Sequence, residues 1–312
     1  MNLMKKVKCL VLFSGGLDSM LAAQLLKRIG IEVVPICFVS YFFNAKQAEE
    51  SAKQIGLKLR IIDISSKHLN MVKNPKHGYG VGVNPCIDCH LMMIKEAGKI
   101  MKKEGFDFIA TGEVLGERPM SQNIRSLELI ERQAGLKGRL LRPLSAKLLP
   151  ETIIEKKGLI DRKKLYDISG RTRTRQVALA KELEIKKYPS PGGGCILTEV
   201  NYGKLFRKLS EYKKIDGNDA IVLRLGRISF ENNLLIVVAR NEEECNQLKK
   251  MIKKGDVFVE PDNFSGPSVL IRKTGKISVK EMKEKGREYV LRYTKRSLLR
   301  DPMFIYLQLP IF

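Results

Sequence analysis

Apolar, strand-like segments alternate with helical segments through the first third of the chain, and this alternation constrains the fold more than any other feature. Strands are predicted at residues 7–13, 31–38, 58–64 and 106–111, and helices at 20–29, 45–55 and 89–103. Strands and helices that alternate at this spacing form a parallel sheet covered by helices on both faces. The predicted fold class of this part is therefore α/β, and we expect residues 140–185 to be mostly helical and basic.

The pattern changes near residue 210. Strands are predicted at 220–230, 234–239, 257–260 and 269–272, and helices at 241–254 and 278–293. This order is typical of a smaller α+β domain. We therefore expect one domain at 1–210 and a second at 211–312.

Basic residues greatly outnumber acidic ones, since 57 Lys and Arg against 34 Asp and Glu give a formal net charge of +23. A folded chain with this charge is expected to bind a polyanion, either a nucleic acid or an anionic membrane surface. The sequence has no apolar run of the roughly 18 residues that a membrane helix needs, and its N-terminal apolar stretch is too short for a signal peptide. We expect a cytoplasmic protein without a membrane partner, in which six cysteines are not a disulfide framework.

The hexad SGGLDS lies between the first predicted strand and the first predicted helix. Gly15 and Gly16 allow a tight turn that brings backbone N–H groups close to a ligand, and the following helix adds the positive end of its dipole. Ser14 and Ser19 are candidate donors to phosphate oxygens. Asp18 is a candidate ligand for a magnesium ion that bridges phosphates. Because no lysine occupies the P-loop position, the hexad is not a Walker A motif.

Three cysteines are candidates for one sulfur-rich site. Cys86 and Cys89, in NPCIDCH, lie where a helix begins and thiolates are favoured, and Cys195 follows the glycine-rich loop PSPGGG. A c-type haem is set aside because its attachment needs an exported protein. A zinc site with His90 as fourth ligand and a dithiol or persulfide pair remain open. An iron–sulfur cluster is favoured, because three thiolates leave one iron open to hold a hydrosulfide.

Two strongly basic runs indicate a nucleic-acid surface. Residues 156–187 hold 11 basic and 4 acidic residues, and residues 272–300 hold 11 basic and 3 acidic residues. Within the first run Arg171, Arg173 and Arg175 alternate with threonines, a pattern that suits contacts to RNA phosphates.

SGGLDS resembles the SGGxDS motif of the PP-loop ATP pyrophosphatases, which activate a carbonyl-type oxygen with ATP and release pyrophosphate. The resemblance implies an adenine-nucleotide α-hydrolase fold for the parallel-sheet domain. Thr111, Gly112 and Glu113, after the fourth strand, are similar to the turn that flanks the nucleotide in the thiolases of this group. The resemblance therefore implies that they bind ATP together with Ser14–Ser19.

NPCIDC with a distant third cysteine is similar to the cluster-dependent tRNA thiolases, whereas the persulfide-dependent ones carry two of these cysteines. Residues 219–294 also resemble the small RNA-binding domain appended to such proteins. The resemblance implies thiolation of a tRNA uridine with ATP, Mg²⁺, a 4Fe–4S cluster and a sulfide or persulfide donor. It assigns the cluster to Cys86, Cys89 and Cys195, and catalytic roles to these cysteines and Asp18.

Three other hypotheses are kept. The first is a PP-loop ligase of the amidotransfer type, which needs neither the three cysteines nor the basic surface. The second is a persulfide-based tRNA thiolase without a cluster. The third is a non-catalytic RNA-binding protein that retains a vestigial nucleotide site.

Overall fold

The computed structural model describes residues 6–190, 195–298 and 301–309. The chain divides into two units, Met1–Thr198 and Glu199–Phe312. The expected boundary between residues 210 and 211 lies inside a helix, Val200–Tyr212, of the second unit.

A five-stranded sheet forms the centre of the first unit. Its strands are β1 (Lys8–Leu12), β2 (Glu32–Val39), β3 (Arg60–Asp63), β4 (Phe108–Thr111) and β5 (Leu140–Leu141). Its helices are α1 (Leu17–Arg28), α2 (Lys46–Gln54), α3 (Ser65–Lys73), α4 (Cys86–Glu104), α5 (Ile124–Ala134), α6 (Ile153–Lys156) and α7 (Thr174–Glu182). The strands lie in the order β3-β2-β1-β4-β5, and all neighbouring pairs are parallel, as predicted.

The sheet core explains why the strands could be predicted from apolar runs. Cys9 and Val11 of β1 pack into the cluster on one face, and Leu10 packs into the cluster on the other. A strand buried on both faces has no polar side, so its sequence is continuously apolar. Cys9 and Cys37 are buried in this core.

The carboxyl edge of this sheet is where a ligand is expected. The chain order reverses between β2 and β4, which lie on either side of β1. Parallel sheets bind ligands in the crevice outside the carboxyl ends of their strands at such a switch point. SGGLDS follows β1, and Thr111 is the last residue of β4.

The expectation that residues 140–185 are mostly helical is wrong. Two α-helices, α6 and α7, together with short 3₁₀ turns at Ala146–Leu148 and Arg162–Lys164, interrupt an otherwise irregular path. Pro143 and Pro150 cannot donate a helical hydrogen bond. Gly158 and Gly170 adopt positive φ angles of 67° and 85°, which no regular helix contains.

The second unit contains an antiparallel sheet. Its strands are β6 (Arg227–Glu231), β7 (Leu234–Val238), β8 (Val257–Pro261), β9 (Val269–Lys273) and β10 (Phe304–Leu307). Its helices are α8 (Val200–Tyr212), α9 (Gly217–Val222), α10 (Glu242–Lys250) and α11 (Val279–Arg292). The strands lie in the order β10-β8-β9-β7-β6, and α11 packs on β8 and β9. The predicted α+β class is confirmed.

The strand predicted at 220–230 is wrong in its first half. Asp216 and Asp219 form a capping box, in which each side chain accepts a hydrogen bond from the other residue's backbone N–H, and this starts helix α9. Gly226, with φ 65°, redirects the chain, and β6 begins at the next residue. Within the described ranges, no helix has both the length and the apolar character needed to cross a membrane.

Candidate active site

The predicted phosphate loop packs tightly against the start of α2. Gly15 has φ 79°, and a Cβ atom there would lie 2.7 Å from the backbone of Ala48. The Ser51 hydroxyl donates to the Gly15 carbonyl at 2.8 Å. The position therefore requires glycine both for its backbone conformation and for its close contact.

The two serines of the hexad lie together at the N-terminus of α1. The Ser14 and Ser19 hydroxyl oxygens are 3.4 Å apart, and Ser19 Oγ donates to the Gly16 carbonyl at 2.8 Å. The Gly16 N–H points to Ser14 Oγ at 3.3 Å. These groups and the helix N-terminus form a concentration of donors suited to an anionic ligand.

The turn after β4 lies directly against this loop. A Cβ atom on Gly112 would lie 2.5 Å from the Ser19 nitrogen and 2.7 Å from the Asp18 carbonyl oxygen. Two segments that are far apart in sequence, SGGLDS and Thr111–Glu113, are therefore in contact at the switch point of the sheet. That both segments line one nucleotide site stays a prediction.

Asp18 lies among charged side chains. Arg173 donates to Asp18 Oδ2 at 3.2 Å, and Asp18 Oδ1 is buried without a hydrogen-bond partner. Burial raises the pKa of Asp18, although the guanidinium of Arg173 opposes this shift. Burial and the negative charge of Asp18 also raise the pKa of Glu117, which brings a second carboxyl group, not singled out in the sequence, to this corner of the site.

The Glu113 carboxylate is fully engaged by other protein groups. It accepts hydrogen bonds from His90 Nδ1 at 2.8 Å, from the Thr111 hydroxyl at 2.9 Å and from Arg142 Nε at 2.9 Å. Burial would raise the pKa of Glu113, but the positive charges of Arg142 and His90 outweigh burial and lower it to about 2. Glu113 thus connects the turn after β4 to helix α4. Arg142, which donates to the same carboxylate, was not singled out in the sequence.

Cys86 is an activated thiol in this arrangement. It is the first residue of α4, and burial would raise its pKa, but the hydrogen bond and charge of His90 lower the pKa of Cys86 to about 7. Ser121 and Asn84 also lower the pKa of Cys86. Burial opposes the charged form of His90, yet its hydrogen bonds to Cys86 and Glu113 raise the pKa of His90 to about 10.

Cys89 lies beside a histidine and is influenced by the charges of the other two cysteines. Its Sγ is 3.3 Å from His68 Nε2, and His68 Nδ1 is 3.1 Å from the Ser40 hydroxyl. Burial lowers the pKa of His68 to about 4, so this imidazole is neutral at pH 7. Burial, followed by the negative charges of Cys195 and Cys86, raises the pKa of Cys89, which indicates that the three thiols are close enough to interact. The sequence had suggested only a loop at His68.

Cys195 is described by the structure, whereas the predicted glycine loop at 191–194 lies outside the described residues. Its carbonyl accepts hydrogen bonds from the backbone and hydroxyl of Thr198, and the Val83 N–H donates to the Leu197 carbonyl at 3.0 Å. These contacts join the segment of Cys195 to the loop before α4. Among the described residues, no group of three or more His, Cys, Asp or Glu side chains is arranged around a single metal ion.

Asp88, between the two cysteines of α4, is a structural anchor for the loop that precedes the helix. It accepts hydrogen bonds from the backbone N–H and from Nδ1 of His77, both at 2.8 Å. His77 Nε2 is in turn 3.2 Å from Gln133 of α5. The sequence assigned nothing to His77.

The three arginines at 171–175 do not share one environment. Arg171 and Arg175 are exposed, and Arg175 pairs with Asp167 at 2.5 Å. Arg173 instead points to Asp18.

Known proteins match different parts of this chain. A probable tRNA sulfurtransferase of Methanosarcina mazei is 34% identical over 120 residues, which make up 35% of this chain and 29% of that protein. The tRNA sulfurtransferase of Desulfurococcus amylolyticus is 26% identical over 307 residues, or 91% of this chain and 61% of that protein. A solved 4-thiouridine synthetase in complex with RNA and ATP is 22% identical, with a TM-score of 0.36, and the match covers 57% of this chain and 52% of that one. The chain thus spans less than two thirds of the length of these proteins.

Two family models also match. Residues 226–301 match the NFACT protein RNA binding domain. Residues 5–186, more than half of the chain, match the family described as thiamine biosynthesis protein (ThiI). This match agrees with the resemblance of SGGLDS and NPCIDC to the PP-loop tRNA thiolases. The chain therefore belongs to the ThiI family.

Proposed function

We propose that this protein replaces a carbonyl oxygen of a tRNA uridine with sulfur, using ATP to activate that oxygen. One observation carries the proposal. The carboxylate of Glu113 hydrogen-bonds to Thr111 in the turn that contacts the phosphate loop, and to His90, which activates Cys86. A site for a nucleotide and a site for sulfur are therefore linked through one buried side chain, which an amidotransfer-type ligase would not need.

ATP is assigned to Ser14–Ser19 and Thr111–Gly112, with its phosphates at the N-terminus of α1. Asp18 is the assigned magnesium ligand, and its buried, unpartnered Oδ1 supports this role because such an oxygen needs a cation or donor. The uridine oxygen attacks the α-phosphorus, an O–P bond forms, and the bond to pyrophosphate breaks. Sulfide then attacks the activated carbon, a C–S bond forms, and AMP leaves with the original oxygen.

Cys86, Cys89 and Cys195 are the assigned ligands of a 4Fe–4S cluster. The electrostatic influence of Cys195 and Cys86 on Cys89 supports a shared site. Iron–sulfur clusters are held by cysteine thiolates, so the donor set of this site suits one. Such a cluster, when bound, supplies an open iron that holds sulfide, while His90 and Glu113 orient Cys86.

A second candidate route is favoured by the low pKa of the Cys86 thiol. In this route a donor places a persulfide on Cys86, and the terminal sulfur attacks the activated carbon. Cys195 then attacks the sulfur of Cys86 and releases thiouridine, leaving a Cys86–Cys195 disulfide that a thiol reductant must reopen. Cys89 is dispensable in this route and required for the cluster.

RNA is the assigned partner of the second unit, as its family match suggests. Exposed Arg227 lies over the ring of exposed Tyr293, and exposed Arg287 lies over Phe304. Arginine and aromatic side chains together suit phosphate contacts and base stacking on single-stranded RNA. The net charge of +23 supports the same partner.

Pyrophosphate release in the presence of unmodified tRNA tests the order of steps. Asp18→Asn should abolish release, whereas Cys195→Ala should retain it and lose both thiouridine and the visible absorbance of the reconstituted cluster. Cys245→Ala, in the second unit, is the matched cysteine control and should change neither. Full release by Asp18→Asn, or an unchanged cluster in Cys195→Ala, contradicts these assignments.

A further inference from the structure

The start of α7 brings an arginine to the phosphate loop although the surrounding sequence has the pattern of an RNA-binding segment. Arg173 is the residue before α7, and its guanidinium donates to Asp18 Oδ2 at 3.2 Å. Its side chain is 20% exposed, whereas that of Arg175 is 54% exposed. Arg173 is therefore directed into the first unit and away from a surface where tRNA could bind.

Unpartnered buried atoms gather around this ion pair. Arg173 Nε, Asp18 Oδ1 and both polar atoms of the Gln176 amide are buried and lack hydrogen-bond partners. Gln176 is 0% exposed, and its amide lies close enough to Asp18 to lower the pKa of that carboxyl, but the two side chains do not meet with hydrogen-bond geometry. More than nine in ten buried polar groups in native proteins are paired, so four such atoms together mark a place where a polar ligand belongs.

The charges at this place fit an anion accompanied by a cation. Asp18 and Glu117 are two half-buried carboxyl groups, and Arg173 lies near both. A divalent cation held by Asp18 would repel the guanidinium, and a phosphate oxygen would attract it. The existing Arg173–Asp18 pair thus balances the charge of each group until a metal–phosphate ligand separates them.

We propose that Arg173 and Gln176 are nucleotide-binding residues: Arg173 leaves Asp18 for a phosphate oxygen of ATP when Mg²⁺ binds the carboxylate, and Gln176 hydrogen-bonds to the same ligand. The inference depends on the proposed function for the identity of the ligand as ATP. It assigns Arg173 to the triphosphate, in contrast to Arg171 and Arg175, which remain predicted tRNA contacts.

Isothermal titration calorimetry with Mg²⁺–ATP and with adenosine, in the absence of tRNA and sulfide, tests this assignment. Loss of a charge-assisted hydrogen bond in Arg173→Ala should weaken Mg²⁺–ATP binding about ten- to a hundredfold. Adenosine binding should be unchanged, because the contact is to phosphate. Lys181→Ala, which removes an exposed positive charge from the same helix, should bind both ligands as the wild type does.

A purely structural ion pair gives a different result. Arg173→Ala would then melt at a lower temperature and keep the wild-type preference for Mg²⁺–ATP over adenosine, which overturns the proposal. A loss of tRNA affinity equal to that of Arg171→Ala, with Mg²⁺–ATP binding intact, also overturns it. If Arg173→Ala does not fold, Arg173→Lys keeps the charge, and should bind Mg²⁺–ATP several-fold more weakly than the wild type.

Gln176→Leu is an independent test, because the melting temperature and the affinity for Mg²⁺–ATP should not decrease together. Removal of an unpartnered buried amide should leave the melting temperature of the nucleotide-free protein unchanged or higher, while Mg²⁺–ATP binding weakens several-fold. Unchanged Mg²⁺–ATP binding by this variant excludes Gln176 from the site. Failure of the wild type to bind Mg²⁺–ATP contradicts the proposed function itself, whereas tight binding without thiolation contradicts only the reaction.

Discussion

Individual side chains in this site have roles that depend on what they contact more than on their position in a motif. Glu113 was expected to bind ATP, yet both carboxylate oxygens already accept hydrogen bonds from protein donors. These contacts orient His90 and Thr111, and ATP binding by Glu113 stays a prediction. His90 was expected only as a possible zinc ligand, which stays a prediction, and it also lowers the pKa of Cys86.

The reactivity of Cys86 follows from this contact. With a pKa of about 7, a large fraction of its thiol is ionised at neutral pH. His90→Gln removes the positive charge and should raise the pKa of Cys86, so alkylation by iodoacetamide at pH 7 should slow about tenfold or more. Mass spectrometry of the Cys86 peptide over a range of pH measures the shift.

Cys245 provides the internal control for that experiment, because it lies in the other unit and should react at the same rate in both proteins. An unchanged midpoint for Cys86 in His90→Gln would show that the imidazole does not set its reactivity.

Glu113 should make the free energy of unfolding depend on pH in the acidic range. Its pKa falls from the ordinary 4.5 to about 2 in the folded protein, so the ionised group stabilises the fold fully above pH 4.5. This stabilisation is lost as the pH decreases from 4.5 towards 2. Glu113→Gln leaves buried Arg142 with only the Glu131 carboxylate, at 3.3 Å, as a charge partner, and should lower the free energy of unfolding at pH 7 by about 3 kcal/mol.

Urea unfolding at pH 7 and at several lower pH values measures both effects. Glu104→Gln, which alters an exposed pair with Arg60, is the control and should change stability little. Equal acid sensitivity of wild type and Glu113→Gln would argue that Glu113 is not the group responsible.

Among the helices, strands and loops, the sequence predicted those that a continuous local pattern marks. Strands β1 and β4 and the phosphate loop are short, local signals, and the structure has them where they were expected. Helix α3 was missed because its buried face includes His68, which does not count as apolar in a periodicity. The contact of Arg173 with Asp18 joins residues 155 positions apart, so no local pattern contains it.

The close contact between the turn after β4 and helix α1 can be tested by adding one methyl group at Gly112. The backbone of Gly112 does not require glycine by its φ angle, but an added Cβ would lie 2.5 Å from the Ser19 nitrogen. Gly112→Ala must therefore displace the phosphate loop, and Mg²⁺–ATP should bind at least about tenfold more weakly in calorimetry.

Gly105→Ala separates this local displacement from general strain. Gly105 has φ 72° and no atom near its missing Cβ, so alanine there should reduce stability by about 1 kcal/mol without affecting the nucleotide. Equal nucleotide affinities in the two variants would contradict a role for the Gly112 contact.

For the whole molecule, the basic residues of the second unit lie in two different environments. Arg272 belongs to the second basic run, but it is 2% exposed and binds Asp219 and Asp256, each at 2.7 Å. It therefore stabilises the fold of the second unit. Arg287 is exposed and lies over the ring of Phe304, which fits the proposed RNA contact.

These two environments predict different effects for two variants that each remove one positive charge. Arg272→Ala leaves two carboxylates buried beside each other and should destabilise the second unit by about 3–5 kcal/mol, which urea unfolding measures. Arg287→Ala should leave stability unchanged, weaken tRNA binding, and reduce the salt dependence of that binding by about one phosphate contact. The reverse pattern would contradict the assignment of either residue.

Nucleoside mass spectrometry tests the central claim most directly. Unmodified tRNA is incubated anaerobically with Mg²⁺–ATP, sulfide and the protein after its reconstitution with iron and sulfide, and in parallel with a persulfide donor. We predict a thiouridine that requires ATP and is absent from the Asp18→Asn reaction. A protein that binds ATP and tRNA and yet forms no thiolated base with either sulfur source would contradict the account.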